Sequence, residues 1–378
     1  MTSIADRHAA TPASFIPLWP WGYAAVCVVA VGAVLIAPLA AYVFLIALFG
    51  LPHVLCELRY CDERFSARAP RAALVAIGAL LVVLAGLRIA QAFGALPYGI
   101  AVTSELGLGI ALASAGVWFM PRRRLLGAVI GGALAAGTVF APIMTFLVIA
   151  WLHNLTPLAF VSEIVPKRER VRAVALLLVP FLLVPAFVAS GLPQAAIAHW
   201  FGYSAATAPS LFHAGRYPLA AFLPPQMPFE AALPLFSAAV TAQAMHYLSV
   251  IAVMPLLLKR YAANPPSLWE GEGGGIANNS AYVAIPHPRI KSGAGSNPPP
   301  KGEGIQKFAT VVPWPGWRTF YIAVAALALA VFAGHAIDYP QARAFYSVAA
   351  AIHSWVELPI FLIALGFGFT ATQSTRGR

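Results

Sequence analysis

The sequence predicts an all-α membrane protein, a bundle of about ten spanning helices with both termini in the cytoplasm. Three observations carry this: the scarcity of charge, the long apolar runs and the one-sided placement of lysine and arginine. Of the 378 residues, 60% are hydrophobic and only 10% charged, with a mean hydropathy of +0.78. A soluble domain carries about 25% charged residues. So much apolar surface cannot be covered in water, which excludes an ordinary soluble enzyme and makes the lipid bilayer the solvent. The three cysteines, Cys27, Cys56 and Cys61, form neither a disulfide framework nor a metal-finger spacing.

A spanning helix needs about 20 apolar residues. The runs place spans near 19–37, 39–60, 72–94, 97–119, 124–140, 142–164, 171–192, 231–258, 317–336 and 345–369. Trp19, Trp21 and Tyr23 anchor the first at an interface. The apolar stretch that begins there is too long for one span, and Pro38 divides it. The third span follows Arg71 and the fourth stops at Arg122, Arg123 and Arg124. Pro142 divides the next long run into the fifth and sixth spans. The seventh follows the basic stretch from Lys167 to Arg172, and the eighth ends at Lys259 and Arg260. Trp314 and Trp317 anchor the ninth.

With the N-terminus inside, nearly every arginine and lysine between spans falls on the cytoplasmic side. Only Arg216 and Arg343 lie outside, and Arg88 falls within a span. This obeys the positive-inside rule. The net charge of +11 is therefore a topology signal and not a nucleic-acid patch. The N-terminus, with Asp6 ahead of Arg7 and a long polar lead, does not read as a cleaved signal. The expected location is the inner membrane of the cell.

Residues 1–258 form a membrane domain of eight spans, and 317–378 supply the last two. Between them, 259–316 read as a disordered cytoplasmic insertion rich in Gly, Pro, Ser and Asn, a composition that cannot bury enough apolar surface to order itself. A near-repeat supports this, with Asn264-Pro265-Pro266 leading to Gly271-Glu272-Gly273 and Asn297-Pro298-Pro299 to Gly302-Glu303-Gly304. The outer loop, 193–230, carries His199, His213 and Arg216 and is expected to cover the outer face.

Ionisable groups inside spans are costly and mark function by default. The second span carries His53 and Glu57, the sixth His153, the eighth His246, and the tenth His353 and Glu357. All four histidines fall on even-numbered spans, which run in one direction. Counted along their helices at about 1.5 Å per residue, their depths agree within the uncertainty of the span ends. His53 and His353 each lead a His-x-x-x-Glu pattern, which puts both side chains on one helix face. Imidazole suits iron, copper, zinc and nickel, and a carboxylate adds a hard oxygen for iron or manganese. A carboxylate behind a ligand histidine fixes its tautomer. The pattern thus points to one metal centre with His53, His153, His246 and His353 as ligands. Glu57 and Glu357 then serve as catalytic carboxylates that orient imidazoles or complete the sphere. Four independent packing histidines, a bis-histidine haem, or a proton or ion path through a transporter remain open on the residues alone. Arg88 and Glu105 are expected to pair within the bilayer, and His335, near the end of its span, to be solvated.

Gly50-Leu51-Pro52-His53, followed by lone histidines on later spans, resembles the bacterio-opsin-related membrane β-carotene 15,15′-dioxygenase family. The resemblance implies one iron held by His53, His153, His246 and His353, and oxygen-dependent cleavage of a lipophilic, carotenoid-like substrate drawn from the bilayer. The likeness covers the four residues at 50–53 and the number of membrane histidines. That family follows its histidine with a glycine and soon an aspartate, where Val54 and Glu57 stand here. It also places two ligand histidines four apart on one helix, where this chain has Glu357.

Overall fold

The computed structural model describes residues 19–66, 69–119, 124–165, 167–224, 226–263 and 310–367. Their regular structure is all helical, with no strand among the described residues. Seven helices are long and apolar enough to cross a membrane. These are α2 (Pro38–Phe65), α3 (Arg71–Ala92), α4 (Tyr98–Phe119), α6 (Pro142–Ile164), α7 (Glu169–Ala189), α9 (Phe229–Leu258) and α10 (Trp317–Ile337). Two apolar helices are shorter, α1 (Trp19–Ile36) and α5 (Arg124–Phe140). A short helix, α8 (Leu192–Phe201), and the 29-residue α11 (Tyr339–Phe367) complete the set.

Proline sets two of the helix boundaries. Ala37 (φ −141°, ψ 70°) and Ala141 (φ −152°, ψ 65°) leave helical geometry, because a proline clashes with an αR residue before it. Pro38 and Pro142 then open α2 and α6, where a missing N–H costs nothing. Within α6 the helix stops at His153 and resumes at Thr156, with Pro157 in its first turn. Three helices contain π-type segments, Ile46–Gly50 in α2, Val179–Leu183 in α7 and Ser249–Val253 in α9, the first and last of them near the histidines. Such bulges gather at functional sites. His53 lies three residues after the segment in α2 and His246 three before the one in α9.

In lipid, helices associate by close packing and hydrogen bonds, and not by burial from water. Small residues supply that closeness here. α9 presents Ala238, Ala239, Ala242 and Ala244, all buried. Gly109 of α4 lies directly under the Trp355 ring of α11, and Gly116 under Pro359. α2 and α9 are the most enclosed of the seven candidate spans, and they carry His53, Glu57 and His246.

Arg88 and Glu105 do pair, at 2.6 Å, and Trp355 Nε1–H donates to the same carboxylate at 2.8 Å. This trio, with Glu105 and Trp355 buried and Arg88 half-buried, ties α3, α4 and α11 together. His335 is a correction: it is fully buried, not solvated. Its Nδ1–H donates to the Val331 carbonyl at 2.9 Å, and its ring rests against Tyr339 at 5.7 Å. Residues 264–309 of the insertion lie outside the described residues, as do His287 and both near-repeats. Helix runs on to Ala263, inside the stretch read as insertion. On the far side, Val311 N–H, Val312 N–H and the Trp314 indole all donate to Asp62 at 2.9 Å. The 193–230 loop holds three short 3₁₀ turns, and its Ala214, Phe222 and Leu223 are buried against Tyr42, Phe236 and Tyr339. His199 and His213 are exposed.

Candidate metal centre

Four helices bring five ligand groups to one point. His53 and Glu57 come from α2, His153 from the end of the first half of α6, His246 from α9 and His353 from α11. One ligand atom from each lies within 4.8 Å of all the others. His53, Glu57, His246 and His353 are buried, and His153 is half-buried. The imidazoles meet edge to face or tilted, with centroids 4.6 Å apart for His153–His353, 4.8 Å for His53–His353 and His153–His246, and 5.2 Å for His53–His246. Residues separated by hundreds of positions thus share one small volume.

The hydrogen bonds behind the rings decide which nitrogens face inward. His53 Nδ1–H donates to the Phe49 carbonyl at 3.2 Å, and His153 Nδ1–H donates to Glu357 Oε2 at 3.0 Å. A neutral imidazole carries one N–H, so each of these rings turns a bare Nε2 to the centre. Both bare nitrogens face the same atom, His353 Nε2, at 3.2 Å and 2.9 Å. One hydrogen on His353 satisfies only one of the two contacts. Satisfying both with protons needs two buried imidazolium ions donating to His353, which is costly in an apolar interior. A single metal ion removes the conflict. Ligands at right angles on bonds of about 2.1 Å lie about 3.0 Å apart, matching both spacings.

The two carboxylates differ. Glu57 belongs to the inner group, with Oε2 3.2 Å from His246 Nε2 and 3.7 Å from His353 Nε2. Glu357 stands behind His153, where it fixes the ring's tautomer and direction. Thr156 donates to the His153 carbonyl at 2.9 Å and lies 3.4 Å from Glu57 Oε1, bracing the helix break at this point.

Sequence reasoning missed the ring of polar and aromatic groups beside His53. Tyr247 stacks on the His53 ring, with centroids 4.0 Å apart at 25°. Its hydroxyl meets Tyr346 at 3.2 Å and Gln243 at 2.5 Å. The i,i+4 spacing of Gln243 and Tyr247, beside His246, was the available signal.

Replacing Glu357 with Gln keeps the side-chain shape but removes the charge behind His153. Outer-shell partners of this kind typically contribute about 10–100-fold in metal affinity. E357Q is therefore expected to lower affinity by that factor while leaving the bound metal's ligand number unchanged, read by competition with a chromophoric chelator.

Fold and site together define a multi-pass, all-α membrane protein with a buried His/Glu cluster able to hold a metal ion. The chain matches no protein-family model, no curated protein and no solved structure.

Proposed function

We propose that this chain is an iron-dependent oxygenase of a cell's inner membrane, acting on a lipophilic, carotenoid-like substrate that reaches the centre through the bilayer. The observation that carries the metal reading is the pair of bare imidazole nitrogens turned on His353. His53, His153, His246 and His353 hold the ion, Glu57 adds a hard oxygen, and Glu357 orients His153. A mixed imidazole and carboxylate set suits iron. Haem fits the spacing less well, because two axial nitrogens stand about 4 Å apart across the macrocycle, twice a metal–nitrogen bond. Here the close pairs are 2.9 Å and 3.2 Å.

The step from metal centre to oxygenase rests on the resemblance at Gly50-Leu51-Pro52-His53. Bound iron would supply oxygen activation, and the overall reaction joins one carbon–carbon double bond and one dioxygen to give two carbonyl products. The chain's own part is to fix the imidazoles, keep the centre buried and admit an apolar molecule. Purified protein loaded with ferrous iron, given oxygen and a carotenoid in detergent, should take up one oxygen molecule per substrate cleaved. Iron-loaded protein that consumes no oxygen with a carotenoid would remove the oxygenase reading and leave the metal centre standing.

The same proposal includes ten spans, counting α1, α5 and α11 with the seven longer helices, and cytoplasmic termini. Reporter fusions at residue 205 should then be active only outside, and fusions at residue 285 only inside. Cytoplasmic activity at 205 would contradict this topology.

A further inference from the structure

Beside the histidine cluster lies a second polar group that metal binding does not use. Gln243, Tyr247 and Tyr346 join through the Tyr247 hydroxyl, which lies 2.5 Å from Gln243 Nε2 and 3.2 Å from the Tyr346 hydroxyl. Gln243 is 8% exposed, and its Oε1 is buried without a hydrogen-bond partner. Turning the amide over exchanges the roles and leaves its other atom bare, so one amide group is unsatisfied in either orientation. A buried polar atom left in this way costs about 1–3 kcal/mol, and a packing role alone gives no return for it. Phenylalanine at 247 would stack on His53 equally well, and leucine at 243 would fill the space without an orphan.

The hydrogen count shows what is missing. Gln243 N–H donates to the Tyr247 oxygen, and the Tyr247 and Tyr346 hydroxyls share one hydrogen between them. That leaves Gln243 Oε1, the second N–H of its amide and one hydroxyl hydrogen on the tyrosine pair. A group that donates to Oε1 and accepts one of these hydrogens removes the orphan, and an alcohol does both. Its position bears on the chemistry. Gln243, His246 and Tyr247 share a face of α9 within about one 5.4 Å turn, and Tyr247 lies against the His53 ring.

We propose that Gln243, Tyr247 and Tyr346 form a subsite for a hydroxyl group on the lipophilic substrate. The proposal rests on the oxygenase reading above and narrows its substrate class to lipophilic alcohols. Anchoring the hydroxyl there fixes which part of the apolar chain lies over the metal centre, so the subsite selects the substrate and also the bond that reacts. Tyr346 is held in place by Gly50, where a Cβ would stand 2.9 Å from its ring.

The test compares a hydrocarbon carotenoid with the same polyene hydroxylated on its end ring. Binding to iron-loaded protein in detergent is followed by quenching of tryptophan fluorescence. One buried hydrogen bond is worth about 0.5–1.5 kcal/mol, so the two made here predict that the alcohol binds at least about fivefold tighter. In Gln243→Leu the two affinities should become equal with iron content unchanged. Tyr346→Phe, which removes a single oxygen, should lower the preference in the same direction and serves if the first variant does not fold. Equal binding by the native protein, a preference that survives both variants, or no binding of either compound would overturn the proposal. The first of these results would leave only a water molecule at Gln243. Iron content is measured on the same samples, so a missing metal centre and a missing hydroxyl preference register separately.

Discussion

Replacing His353 with Ala should abolish metal binding. His353 Nε2 is the atom on which His53 and His153 both converge, at 3.2 Å and 2.9 Å. Its removal takes away one donor and leaves the other two bare nitrogens without a shared partner. Loss of an outer-shell group already lowers affinity about 10–100-fold, and loss of a direct ligand should exceed the upper end of that range. The expected result is a fall from about one metal per chain to less than about 0.1 after dialysis. The small side chain also leaves a cavity, lined by the remaining imidazoles and Glu57, whose polar groups can hold water in place of the ring. Monodisperse protein with no metal is therefore the outcome expected by size-exclusion chromatography and elemental analysis. Retention of a full metal equivalent would mean that His353 packs but does not ligate.

Gly109→Ala should damage the same centre from a distance. A Cβ at Gly109 would stand 2.1 Å from Trp355 Cζ3 and 2.2 Å from Cη2, so the indole must move. Trp355 donates to Glu105, which in turn pairs with Arg88, and Trp355 lies two residues from both His353 and Glu357. Overpacking of this kind costs about 1–3 kcal/mol. Pushing α11 away from α4 also misplaces one ligand and the carboxylate behind another. A lower unfolding temperature in detergent should appear together with metal affinity reduced by about tenfold or more. Gly107→Ala is the matched control: it lies in the same helix, and a Cβ there meets nothing within 4 Å. Equal behaviour of the two variants would show that the Trp355 contact does not position the centre.

The helical class was legible because hydropathy and charge placement act locally. Both divisions of long apolar runs, at Pro38 and Pro142, coincide with the breaks at Ala37 and Ala141, since proline restricts the residue before it in any context. Span counting is less direct: α1 and α5 fall short of the length that sets the seven long helices apart. The four histidines were legible as a group because their direction and depth agreed. The differing roles of Glu57 and Glu357 were not. Both stand four residues after a histidine, and the i+4 rule treats them alike. Helix rotation and the approach of neighbours separate them, as does the break after His153 that turns its Nδ1 toward Glu357. His335 was misjudged for a similar reason. Its place near a span end suggested water, but Tyr339 at the start of α11 covers it. The Gln243–Tyr247–Tyr346 group joins two helices nearly 100 residues apart in sequence, and only the fold brings them together.

His53, Glu57, His153, His246 and His353 lie close enough together to hold one metal ion. X-ray absorption at the iron edge, on protein purified in detergent after loading with one ferrous ion per chain, tests this most directly. The account predicts a mononuclear centre, with light-atom ligands near 2.1 Å, multiple scattering from several imidazoles, and no metal–metal vector. Six water-like oxygens with no imidazole scattering, or protein that retains no iron, would contradict it.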